Sequence, residues 1–149
     1  AGLMGNGIAH VAAQAGYAVI LSDVAMERCE AARATIARNM ARQVGKAIIT
    51  QEQADAALAR IALITNSADF SGADLVIEAA TENEGVKAQI FGGLAGVLKA
   101  DALLASNTSS ISITRLASAT GRADRFCGLH FFNPVPMMAL VEIIPGLAT

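Results

Sequence analysis

The residue pattern predicts an α/β fold built on a doubly wound, mostly parallel sheet. Two observations carry this expectation. Apolar runs of five to seven residues alternate with longer stretches of helical periodicity along the whole chain, the pattern of strands joined by helical crossovers. A glycine-spaced turn also opens the first helix, and an acidic residue ends the strand after it, the arrangement of a Rossmann-type fold.

The strands are expected at residues 18–22 (AVILS), 61–65 (IALIT), 74–80 (DLVIEAA), 102–106 (ALLAS), 126–132 (FCGLHFF) and 140–144 (LVEII). Between them, residues 5–14 read as a small-residue helix. Residues 27–43 place Cys29, Ala32, Ile36 and Met40 on one face at spacings of three and four, with Arg28, Arg38 and Arg42 opposite. Thr50 and Gln53 have capping-box spacing and start a helix through Ala59, so these two helices form a hairpin insertion. Residues 86–98 and 112–119 complete the helices, and Gly121 with Asp124 marks the break before the Phe126 strand.

At 149 residues and 54% hydrophobic content, the chain can bury one core, so one domain over residues 1–149 is the expectation. With 11 basic and 13 acidic residues and a net charge of -2, it has no electrostatic footprint for nucleic acid. No apolar run approaches the roughly 20 residues of a membrane span, and no signal peptide is readable. Cys29 and Cys127 lack metal-site or disulfide spacing. They are expected to be buried thiols in a reducing, bacterial cytoplasm.

Gly2-Leu3-Met4-Gly5 supplies the last two glycines of G-x-G-x-x-G. The loop brings backbone N–H groups to a pyrophosphate, with the positive end of the following helix behind them. By itself the motif is also compatible with an ordinary tight turn. Asp23 ends the next strand, where a carboxylate accepts from ribose hydroxyls; alternatively it caps the next helix. Val24 follows it and no cation is adjacent, which favours NAD over NADP.

Asn107-Thr108-Ser109-Ser110 follows the Ala102 strand, at the end of the sheet where open α/β folds bind ligands. A polar turn capping the helix near Ser112 explains it equally well. His130 stands among apolar residues, where by itself it reads as a satisfied core histidine, with Glu142 in the next strand. A carboxylate in such a strand needs a partner. An imidazole held by it at one nitrogen leaves the other free to take a proton from an alcohol. His10 is expected to pack on its helix, Glu78 has no identifiable partner in the sequence, and Met137 and Met138 read as core filling.

GLMGNGIAH (residues 2–10), DLVIEAATEN (74–83), ASNTSSISI (105–113) and GLHFFNPVPMMALVEII (128–144) together resemble the 3-hydroxyacyl-CoA dehydrogenases of fatty-acid β-oxidation. The resemblance implies NAD-dependent oxidation of a (3S)-3-hydroxyacyl-CoA to the 3-oxoacyl-CoA. In it His130 is the general base, Glu142 orients it, and Ser109 hydrogen-bonds the substrate's 3-oxygen. Glu82, Lys87 and Asn133 match NAD-contacting positions, Asp23 the ribose-binding acid, and Lys46 a lysine that meets the coenzyme A phosphates. Residue by residue, Lys46 and Lys87 could equally be surface charges, and Glu82 lies in an ordinary loop position. The resemblance also implies a full-length homodimer or part of a β-oxidation complex.

Against the family pattern, the strand before the glycine loop and a helical domain after the nucleotide-binding domain are absent from these residues. A gap in the sheet is therefore expected, and weak NAD binding by the isolated chain. The competing readings are a related dehydrogenase of a 3-hydroxy acid or sugar acid, and a nucleotide-binding module without turnover.

Overall fold

A computed structural model describes residues 1–149. Their contacts divide into two compact units, Ala1–Thr65 with Asn133–Ala139, and Asn66–Phe132 with Leu140–Thr149.

In the first unit, α1 (Leu3–Gln14) leads to β1 (Val19–Ser22), α2 (Met26–Gly45), α3 (Gln51–Ala59) and β2 (Ile61–Ile64). β1 and β2 form a two-stranded parallel sheet, Val19 opposite Ile61. The predicted face of α2 is the buried one, Cys29, Ala32, Ile36 and Met40, packed with Ala9, Ala13, Leu21 and Ile61. Ile36 and Met40 are fully buried, and each contributes about 1.5–3 kcal/mol. Small residues on α1 let it lie close to its neighbours. At Gly7 an added Cβ would stand 2.8 Å from Val135 Cβ, so no side chain fits without movement there.

Thr50 and Gln53 form the expected reciprocal capping box at the start of α3. The ends of α1 and α2 share a second device, unlike in sequence. After α1, the Gly16 and Tyr17 N–H groups donate back to Ala13 and Ala12 carbonyls, with Gly16 at φ +98. After α2, the Ala47 and Ile48 N–H groups donate to Val44 and Gln43 carbonyls, with Ala47 at φ +55. Both are Schellman closures, but the second places an alanine in the left-handed region that favours glycine.

The second unit runs β3 (Leu75–Glu78), α4 (Glu84–Leu94), β4 (Leu103–Ser106), α5 (Ile113–Ser118), β5 (Phe126–Phe131) and β6 (Val141–Pro145). These strands form one sheet in the order β3-β4-β5-β6, with β6 antiparallel to β5. Val76, Leu104, Leu116 and Phe126 fill its core with Phe91; the Phe91 and Phe126 rings meet edge-on, centroids 5.0 Å apart. Arg122 donates to the carbonyls of Leu98, Lys99 and Ala102, closing the turn between α4 and β4.

All six strands and five helices lie where the apolar pattern places them, with shifted ends. α1 starts at Leu3 rather than residue 5 because Gly2, extended at φ -68 and ψ -169, is its N-cap. α4 spans residues 84–94 rather than 86–98, starting at the side-chain cap of Asn83. Strand pairing falls into two sheets, β1-β2 and β3-β4-β5-β6. Met137 and Met138 are exposed rather than core filling, because they close a short 3-10 turn whose buried member is Val135. Cys29 is buried as expected, while Cys127 is only half-buried. No helix is long and apolar enough to cross a membrane.

Candidate active site

In the first unit, the chemistry-bearing groups gather at the C-terminal end of β1 and the start of α1. Gly2 has no side chain to cap the helix, the first turn holds no acidic residue, and the first amide bonded back within the helix is that of Asn6, to the Gly2 carbonyl. The Leu3, Met4 and Gly5 N–H groups are thus left for another acceptor. An added Cβ at Gly2 or Gly5 would meet nothing within 4 Å. Open space before unpaired amides and a positive helix end suits a phosphate-bearing group.

Asp23 lies just past β1 and does not cap α2, whose N-cap is Ala25 without a side-chain bond. Its carboxylate accepts from the Val24 N–H at 2.8 Å and lies 2.9 Å from the Ala1 nitrogen. One expectation fails here. Arg28 Nη1 stands 3.6 Å from Asp23 Oδ1, one turn into α2, so a cation is near after all. It is engaged by that carboxylate rather than left for a ribose phosphate.

His10 packs inside this unit as expected, its Nε2 3.2 Å from Gln43 Oε1. Burial keeps its pKa below the ordinary histidine value, and Nδ1 has no partner. Lys46 caps the end of α2 at the exposed corner of the α2–α3 hairpin.

In the second unit, antiparallel pairing sets His130 directly opposite Glu142. Facing residues on neighbouring strands point to the same side of the sheet, so the expected dyad forms: Nδ1 lies 2.7 Å from Glu142 Oε2. The imidazole is mostly covered, 19% exposed, and the carboxylate is open at 49%. Phe132, two residues along, tilts its ring against the imidazole at 4.6 Å. Nε2 has no hydrogen bond within the protein.

The Asn107–Ser110 turn is organised by Glu82, in the loop between β3 and α4. One carboxylate oxygen, Oε1, accepts from Thr108 Oγ1 at 2.5 Å, the Ser109 N–H at 3.0 Å, the Ser110 N–H at 3.2 Å and Ser110 Oγ at 3.1 Å. Ser109 Oγ lies 3.4 Å from the same oxygen. Burial opposes ionisation of Glu82, yet these donors and nearby Lys87 lower its pKa from 4.5 to about 2.

Lys87 and Glu78 correct the sequence reading together. Lys87 is no surface charge: only 1% of it is exposed. Its ammonium sits on both Glu78 carboxylate oxygens at 2.8 and 2.9 Å, with Glu82 Oε2 at 3.5 Å. Glu78 also accepts from Ser106 Oγ at 2.6 Å and from the Ala80 N–H at 2.5 Å. Asn133 is exposed. No group of three or more His, Cys, Asp or Glu is placed to hold a metal ion.

Parallel strands with helical crossovers, an uncapped glycine-led helix and an acid just past β1 are the features of a dinucleotide-binding type of domain. The family described as "3-hydroxyacyl-CoA dehydrogenase, NAD binding domain" matches residues 1–149. The chain belongs to this family. It is 56% identical over 149 residues to a 3-hydroxybutyryl-CoA dehydrogenase of Bradyrhizobium diazoefficiens, covering 100% of this chain and 51% of the relative. It is 42% identical over 146 residues to a fatty acid oxidation complex subunit alpha of Psychrobacter cryohalolentis, covering 98% and 20%. The crystal structure of (S)-3-hydroxybutyryl-CoA dehydrogenase from Ralstonia eutropha superposes with a TM-score of 0.97 at 48% identity, over 99% of this chain and 52% of that one. The chain thus spans about half the length of the dehydrogenases it matches, and the Rossmann-type class expected from sequence holds.

Proposed function

We propose that the protein carrying this chain oxidises a (3S)-3-hydroxyacyl-CoA to the 3-oxoacyl-CoA with NAD, as part of fatty-acid β-oxidation or a related pathway. The observation that carries the reading is the His130–Glu142 pair, closed at Nδ1 and open at Nε2. With Glu142 accepting the Nδ1 proton, Nε2 presents a lone pair to the substrate hydroxyl. His130 takes that proton as the C–O bond becomes a carbonyl, and Glu142 balances the charge the ring acquires. NAD, when bound, accepts the hydrogen and electron pair leaving the carbinol carbon.

Ser109 donates to the substrate's 3-oxygen from the turn that Glu82 holds. The Leu3, Met4 and Gly5 amides, with Gly2 and Gly5 clearing the approach, take the pyrophosphate, and Asp23 accepts from the ribose. Glu82 and Asn133 contact the cofactor, and Lys87 adds positive charge beneath Glu82. Lys46 meets the coenzyme A phosphates. The names of the relatives support an acyl-CoA substrate and, for the whole protein, membership of a fatty-acid oxidation complex; we propose a homodimer in a bacterial cytoplasm as the other form. This reading assigns residues 1–149 the nucleotide-binding role within a longer polypeptide.

The deciding experiment assays the full-length protein for NADH formation with 3-hydroxybutyryl-CoA, beside His130→Ala and Glu142→Gln. Loss of the base lowers kcat by about 10²–10⁴-fold, with the Glu142 variant between. Equal rates for wild type and His130→Ala would sink the mechanism.

A further inference from the structure

β4 and β5 stop pairing before the dyad is reached. Their last matched residues are Ser106 and Gly128, whereas β5 continues through Leu129, His130 and Phe131 with β6 alone beside it. In an antiparallel pair, alternate residues turn their N–H and C=O groups to the other edge. The Phe131 N–H is one of these and faces the side where β4 has ended.

Asn107, the residue immediately after β4, takes its place. Its Oδ1 accepts from the Phe131 N–H at 2.8 Å, as a strand carbonyl would. Its own N–H donates to the Glu78 carbonyl at 2.8 Å, so it is fixed to β3 beside the buried Glu78–Lys87–Ser106 cluster. Through this one side chain, the end of β5 is held on both edges.

We propose that Asn107 is a positioning residue for His130, acting through the Phe131 N–H. The inference rests on His130 being the base. The backbone next to His130 sets the direction of its side chain, and Glu142 fixes only Nδ1, the ring nitrogen nearer that backbone. Without the Asn107 acceptor, the end of β5 follows β6 alone and Nε2 loses its fixed position. Displacement of a catalytic group by about 1 Å costs on the order of 100-fold in rate, and a partial displacement correspondingly less.

The test uses the full-length protein. Asn107→Leu removes the acceptor, Asn107→Ser is too short to reach it, and Asn107→Asp retains an oxygen at Oδ1. Leu and Ser are expected to lower kcat about tenfold to 100-fold with KM for NAD and for the acyl-CoA little changed. Asp should recover most of the loss, and the base-limited arm of the pH–rate profile should stay in place for Ser, because Glu142 is untouched. If Leu fails to fold, Ser against Asp carries the comparison, with thermal melting to score folding.

Wild-type kcat in folded Leu or Ser variants overturns the proposal. So does an Asp variant no better than Ser, or a loss seen only in KM for NAD. His130→Ala, run in parallel, separates the two levels. If it keeps full activity, the base assignment falls and this inference with it; if it is inactive while Asn107→Ser is normal, this inference alone falls.

Discussion

Lys87→Met should be among the most damaging substitutions in the chain that do not touch the dyad. It leaves the carboxylate of Glu78, whose side chain is 1% exposed, without its counter-charge. Breaking a buried ion pair costs about 3–5 kcal/mol. Two donors would remain on Glu78, Ser106 Oγ and the Ala80 N–H, which places the expected loss near the lower end. Glu78→Leu is the harsher change. It strands the ammonium with only Glu82 Oε2 and the Ala80 carbonyl, both at 3.5 Å, and takes the acceptor from Ser106 and Ala80, so the upper end applies. The double variant removes both charges and leaves only the neutral donors unmet, about 1–3 kcal/mol. Urea denaturation of the full-length protein, followed by two spectroscopic probes, reads all three. Single variants costing less than about 1 kcal/mol, or a double variant as costly as the two singles summed, would refute the account of a mutually dependent pair.

Ala47→Gly relieves the left-handed alanine that closes α2 and should stabilise the protein by about 1 kcal/mol, a rise in Tm of roughly 2–4 °C; a lowered Tm contradicts the assignment. Glu82 has a depressed folded pKa, so its stabilising contribution is complete above 4.5 and fades as pH falls toward about 2. The stability difference between wild type and Glu82→Gln should shrink across that interval, and a difference independent of pH would count against it. Lys46→Ala should raise KM for a coenzyme A substrate while leaving KM for NAD alone; unchanged kinetics remove the phosphate contact.

The layered fold was legible because burial repeats with the period of each element. The α2 stripe of Cys29, Ala32, Ile36 and Met40 is buried as spaced, and Thr50 with Gln53 caps α3. The His130–Glu142 pair was expected because a carboxylate in an apolar strand demands a partner, but β6 is exposed and Glu142 is 49% open; the antiparallel register, not burial, brings the two together. What stayed hidden depends on register and on distances across elements. Glu78 and Ser106 face each other only once β3 and β4 are aligned. Lys87 reaches them because the first turn of α4 starts over that strand end. Arg28 reaches Asp23 through the entry of α2. The left-handed closure of α2 also stayed hidden, because it falls on an alanine, Ala47, a residue type that carries no signal for that conformation.

The dyad's dependence on the β5–β6 ladder carries a condition of parity. The connection from Phe132 to Leu140 can gain or lose residues without moving Glu142, provided β6 keeps its phase against β5. A slip of one residue on β6 would turn Glu142 to the opposite face and set Val141 or Ile143 across from His130. Length variation between these strands is therefore neutral for the pair, whereas a single inserted residue within β6, ahead of Glu142, is not. What the pair requires is the phase of the two strands, and the ladder itself sets no fixed number of residues between His130 and Glu142.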